Sequence, residues 1–105
     1  MKHHLLAAAC AALLASFQTA SAQSAADAAE LYASNCAACH GRGGKGVSVY
    51  PSLVGRTDAY IADRLTTYRA RERLGPNSAL MIPVAVKLSD EDITSLSVFI
   101  STTFK

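Results

Sequence analysis

The chain has 105 residues, 50% of them hydrophobic and 17% charged, with a formal net charge of +2. That length suits one domain and excludes two, the apolar share excludes a disordered chain, and the near-neutral charge excludes a dedicated nucleic-acid binder. Three Cys, three His and two Met carry most of the remaining information.

The first element in chain order is an address. Lys2, His3 and His4 form a basic head, residues 5–17 are apolar apart from Ser16, and Ala20-Ser21-Ala22 is a small-x-small cleavage site. This pattern predicts a secretory signal peptide over residues 1–22, cut before Gln23. The apolar run falls short of the roughly 20 residues a membrane-spanning helix needs, and no stop-transfer pattern follows. A lipoprotein signal ending at Cys10 is disfavoured, because the apolar run continues past it. The mature domain is then residues 23–105, with a net charge of +1, and Cys36, Cys39, His40 and Met81 are its only Cys, His and Met residues. The expected location is periplasmic, an oxidising compartment where paired cysteines often staple a fold. Two cysteines three positions apart close only a trivial loop. A domain of this size buries little core, so something else must hold it together.

Three helices are expected next. The first starts near Ser24, with Asp27 as a capping-box acid, and carries Ala28, Leu31 and Tyr32 on one face toward Cys36. The second starts near Thr57 or Asp58 and repeats Ile61, Leu65 and Tyr68 at the helical period, with Gly75-Pro76 as its outer limit. The third has Ser89 as N-cap, Asp92 as its capping-box partner and Asp90 and Glu91 at the positive helix end. Ile93, Leu96 and Ile100 line its inner face, with Phe99 beside them. Two long loops, residues 41–56 and 75–88, separate the helices. Loops of that length in so small a domain make sense if they wrap a ligand. No period-2 strand is convincing, so the fold class is all-α.

The chemistry sits in Cys36-Ala37-Ala38-Cys39-His40, the C-x-x-C-H signature of c-type haem attachment. Two thiols one helical turn apart can each add to a porphyrin vinyl group. The following His40 can then supply an imidazole to the iron. The haem replaces the missing core and consumes both mature cysteines. A thioredoxin-like C-x-x-C requires a βαβ context that this chain lacks. A structural zinc site or an iron–sulfur cluster requires about four ligands, more than the mature chain's Cys and His supply. A Cys–His nucleophile requires a third orienting group, and none is evident.

The second axial ligand follows by elimination. No second mature His exists, and Met81 is the only mature Met, placed in the loop between Gly75-Pro76 and Pro83. Its alternatives are core filler, an open iron site or a Lys ligand. Gly41, Gly43 and Gly46 spell G-x-G-x-x-G, but no strand precedes them. They read instead as a tight backbone turn beside the haem.

These residues resemble the class I cytochromes c, the short bacterial single-haem kind and the halves of the diheme kind. The resemblance covers essentially all of residues 23–105. It rests on Cys36-Ala-Ala-Cys39-His40-Gly41, Tyr50-Pro51-Ser-Leu53-Val-Gly55-Arg56, Tyr60-Ile61 through Tyr68-Arg69, and Met81-Ile-Pro83 leading into Leu88-Ser89-Asp90-Glu91-Asp92-Ile93. It implies the class I cytochrome c fold, with the first and third helices crossing and about three main helices wrapped around one covalently bound haem c. It implies that the Pro51 carbonyl receives the outer N–H of His40. It places Arg56 near a haem propionate, against the competing reading of an ordinary exposed loop Arg. With both axial positions filled, such a haem exchanges an electron and leaves no place for substrate.

The expected activity is therefore electron transport rather than catalysis. Arg64, Arg69, Arg71 and Arg73 form a basic run on or after the second helix, either a patch that steers an acidic redox partner or a solvated helix face. The expected protein is a monomer that meets redox partners transiently, with no nucleic acid and no membrane span once the signal is removed. It would run between a donor and a terminal oxidase or reductase. The competing readings are a haem subunit of a larger periplasmic dehydrogenase or sulfur-oxidising complex, and a gas-binding haem module with a labile sixth ligand.

Overall fold

The computed structural model describes residues 19–105, with side chains described from Asp27 onward. The basic head and apolar run of the expected signal peptide lie outside the described residues. Five helices follow in order: α1 (Thr19–Asn35), α2 (Ala37–His40), α3 (Asp58–Arg69), α4 (Ser78–Ala85) and α5 (Asp90–Thr103). Among the described residues there is no strand, only an isolated bridge between Val47 and Tyr50.

The start of α5 follows directly from its sequence. Ser89 Oγ accepts from the Asp92 amide and Asp92 Oδ2 accepts from the Ser89 amide, both at 3.0 Å, a reciprocal capping box. Ile93, Leu96, Ser97 and Ile100 form the buried face, and the Ser97 hydroxyl satisfies itself on the Ile93 carbonyl at 2.6 Å. Thr57 caps α3 in the same manner, its Oγ1 accepting from the Tyr60 amide at 3.1 Å.

Helix α3 packs along α5, α1 crosses α5, and α4 lies on α3. The core is continuous across these contacts: Tyr32, Ile61, Leu65, Leu88, Ile93, Leu96, Ile100 and Phe104. At the α1–α5 crossing the Tyr32 ring sits 5.6 Å from Phe99 and 5.0 Å from Phe104. Rings at those separations and tilts are favourably arranged. Arg69 ties the end of α3 to the start of α5, donating to the Asp90 carboxylate at 2.7 Å and to the Leu88 carbonyl at 3.2 Å.

Two local expectations are corrected. Helix α1 is already under way at Thr19, so Ser24 lies inside it instead of capping it. The alanine-rich sequence around Ser24 contains no breaker and favours continuation. Helix α3 ends at Arg69, inside its expected outer limit, and Arg71 takes a left-handed φ of 65°. The expected 75–88 loop contains α4, in spite of Pro83 inside it. Proline removes the amide that would bond the Ala79 carbonyl, and Ala79 is exposed, so water can serve that carbonyl.

Candidate haem site

The C-x-x-C-H segment continues α1 with hardly a break. The Cys36 amide bonds Tyr32 O at 2.8 Å, the His40 amide bonds Cys36 O at 2.9 Å, and the Gly41 amide bonds Ala37 O at 2.8 Å. One helical turn separates Cys36 from Cys39, so the two sulfurs share a face. Cys36 is half-buried, Cys39 is exposed and His40 is buried. Burial, with a smaller contribution from Cys39, pushes the Cys36 thiol up to about 11. Thiolate chemistry requires the opposite shift. The Tyr32 hydroxyl donates to the Gly41 carbonyl at 2.6 Å, and burial followed by the neighbouring Cys36 pushes its pKa up to about 12.

The His40 ring has a defined hydrogen-bond polarity. Its Nδ1 lies 2.8 Å from the Pro51 carbonyl oxygen, which can only accept. Nδ1 must therefore carry the proton, leaving the Nε2 lone pair for a metal. The loop after α2 folds back to bring Pro51 there. The Gly46 amide bonds the His40 carbonyl at 2.8 Å, and Val47 and Tyr50 exchange two bonds of 3.0 Å. Gly46 has φ of 69°, and a Cβ there would meet the Tyr50 carbonyl oxygen and sit 2.6 Å from the Pro51 carbonyl carbon. Of the three glycines singled out in the sequence, Gly43 has no positive φ. The buried member of the loop is its neighbour Gly44, packed against the Phe104 ring.

Two adjoining cavities, about 320 and 100 Å³, open beside this turn and share Cys36, His40, Pro51, Tyr60, Arg64, Tyr68 and Met81 as lining. Cys39 lines the larger and Arg56 the smaller. Met81, half-buried on α4, also packs against the edge of the core. The structure thus brings all six expected site residues to one crevice.

The four arginines of the expected docking face separate. Arg64 belongs to the crevice and lies over the Tyr60 ring at 5.0 Å, while Arg56 lies over the same ring at 4.7 Å. Neither guanidinium has a carboxylate partner among the described residues, where the one ion pair is Arg69–Asp90. Arg69 is committed to that pair, and only Arg71 and Arg73 remain as freely exposed charges. Tyr60 was not expected at the site. Its signal was the Tyr60-x3-Arg64 spacing, which puts the two on one side of α3, with Arg56 just ahead of the helix's cap.

A haem fits this donor set. Paired thiols stand at attachment spacing, an imidazole nitrogen is freed by its partner's hydrogen bond, and a thioether, an apolar wall and two unpaired cations share the crevice. Known proteins agree. The family profile described as cytochrome c oxidase, cbb3-type, subunit III matches residues 23–100. Cytochrome c-554(548) of Halomonas halodenitrificans is 43% identical over 67 residues, covering 63% of this chain and 81% of that one. Cytochrome c-554(547) of Halothiobacillus neapolitanus is 38% identical over 80 residues, covering 69% and 88%. The thiosulfate dehydrogenase electron acceptor of Thiomonas intermedia is 39% identical over 71 residues, covering 66% of this chain and 31% of its own length. With motif, fold, crevice and relatives in accord, the chain belongs to the class I c-type cytochromes, which carry covalently bound haem c and serve electron transfer.

Proposed function

We propose that this cytochrome is an exported, periplasmic one-electron carrier, its signal peptide spanning residues 1–22. Cys36 and Cys39 would anchor a single haem through thioethers, and His40 Nε2 and Met81 Sδ would ligate its iron. The observation that carries the reading is the 2.8 Å hydrogen bond from His40 Nδ1 to Pro51, made in a crevice that Met81 also lines. When bound, the haem supplies an iron that gains or loses one electron. The chain's own residues do the rest. Pro51 fixes the imidazole's orientation, the wall of Ile61, Leu65, Leu96 and Ile100 excludes water, and Arg56 and Arg64 place positive charge in the crevice. The role is not enzymatic, because with both axial positions filled the iron has no place for substrate.

An optical titration tests the reading. The reduced holo-protein is expected to keep its spectrum on addition of carbon monoxide. Rapid and complete binding of carbon monoxide would overturn the carrier assignment in favour of a gas-binding module.

The paired guanidiniums should favour the more negatively charged, reduced state of the site. Arg56→Gln/Arg64→Gln is therefore expected to lower the reduction potential by tens of millivolts, on the order expected for charges in a partly screened site. Spectroelectrochemistry of the double variant checks this. An unchanged potential would remove both residues from the electrostatic account.

Docking is proposed to be weak and transient, with the protein a monomer. Val49, Leu74 and Leu80 are exposed at the mouth of the larger cavity, and Arg71 and Arg73 shortly precede Leu74 in sequence. An apolar centre with basic neighbours suits an acidic redox partner. The relative named as a thiosulfate dehydrogenase electron acceptor supports a dehydrogenase as one class of donor. Among the described residues, no helix is long and apolar enough to cross a membrane. Arg71→Glu/Arg73→Glu is expected to slow electron transfer with an acidic partner severalfold at low salt and little at high salt, where screening shortens the field. Stopped-flow rates across an ionic-strength series measure it.

A further inference from the structure

Ser78 is the first residue of α4, and it is 4% exposed although polar. Its hydroxyl accepts two backbone amides from the preceding loop, those of Leu74 and Gly75, both at 2.9 Å. Asn77, the N-cap, makes no side-chain capping bond. The loop is therefore fastened to the helix through Ser78. Helix α4 has little of its own to hold it, with eight residues and a proline inside. Helices so short are unstable without tertiary support. Met81 lies three positions after Ser78, close to one helical turn, and both line the larger cavity.

We propose that Ser78 is a positioning residue for Met81, a latch whose two accepted hydrogen bonds hold α4 in the register that keeps the thioether on the iron. This rests on the reading of Met81 as the sixth ligand. Opening the latch strands two amides in a partly buried place, so the closed arrangement is strongly preferred while the hydroxyl is present. Without it, the arrangement with Met81 withdrawn gains population, and an external ligand competes more easily for the iron. A ligand's apparent affinity scales with the fraction of protein competent to bind it.

The test uses oxidised holo-protein titrated with imidazole and followed by the near-infrared thioether-to-iron absorption band. Ser78→Ala is expected to raise the apparent imidazole affinity about tenfold, the scale set by losing one or two net hydrogen bonds. Ser78→Thr, which keeps a hydroxyl, is expected to stay near the wild type. If the wild type shows the band and Ser78→Ala leaves the affinity unchanged, the latch is overturned and Met81 ligation stands. If the wild type lacks the band, Met81 ligation fails and the latch with it.

Wild-type holo-protein offers a second measurement that needs no variant. Coupling between two sites is reciprocal. Saturating imidazole should therefore speed hydrogen exchange at the Leu74 and Gly75 amides while leaving α5 amides unchanged. Equal rates with and without imidazole at Leu74 and Gly75 would overturn the coupling.

Discussion

Met81→Ala is expected to leave the haem covalently attached and to change nearly everything about its iron. In the proposed arrangement the anchoring cysteines lie on the turn after α1 and Met81 lies on α4, so attachment and sixth ligation would be carried by separate parts of the fold. Removing the thioether would then leave a vacant or water-filled position on the iron. Carbon monoxide should then bind the reduced protein rapidly and completely, in contrast to the wild type. The reduction potential should fall by on the order of 100 mV or more, since His/Met ligation raises the potential and axial ligands set it over a wide range. Optical titration and spectroelectrochemistry read the two effects independently. If Met81→Ala neither binds carbon monoxide nor shifts the potential, another side chain holds the sixth position, and the account of α4 given above must be abandoned.

Gly46→Ala is expected to be the most damaging single-methyl addition in the loop after the haem motif. Two costs coincide there. The left-handed backbone, φ 69°, disfavours any residue with a Cβ by about 1–2 kcal/mol. The added methyl also runs into the Tyr50 and Pro51 carbonyl groups, the second of which receives the His40 ring proton. Relief requires Pro51 to move, and the imidazole loses its fixed orientation. Denaturant unfolding of the holo-protein should show a loss of at least about 2 kcal/mol, with strain added to the backbone term. Gly55→Ala supplies the comparison, with φ 76° but no atom within 4 Å of the added carbon. It should show the backbone cost alone. Equal losses in the two variants would mean that the Pro51 contact at Gly46 is easily relieved.

Much of this was legible in the sequence wherever the cause was local. The capping box of α5 is four residues long and self-contained, and Thr57 caps α3 within three residues. The C-x-x-C-H motif is likewise complete in five positions. What stayed hidden was set by distant partners. Pro83 looks like a loop marker when read alone, and only packing on α3 makes α4 worth forming. Arg69 reads as one of four exposed charges until Asp90, 21 residues away in sequence, is placed beside it. Gly44 carries no signal that distinguishes it from Gly43, because its importance lies in the Phe104 ring against it. Ser78 is an ordinary serine in sequence and becomes notable only when burial and two amides are seen together.

The aromatic crossing of α1 and α5 has a consequence for the order of events during folding. Tyr32 meets Phe104 across nearly the whole described chain, and the Phe104 carbonyl accepts the Gly55 amide at 2.9 Å. Contacts so distant in sequence carry the largest loop-closure cost and form late. The α3–α4 neighbourhood is short-range and can assemble first. Until the crossing closes, the turn bearing Cys36, Cys39 and His40 is held only by α1 and by the loop that follows it, through the Gly46 amide and the Pro51 carbonyl. Cys39 is exposed in the folded chain as well, so early exposure of this turn matters chiefly for Cys36, which the finished fold half-buries against the core.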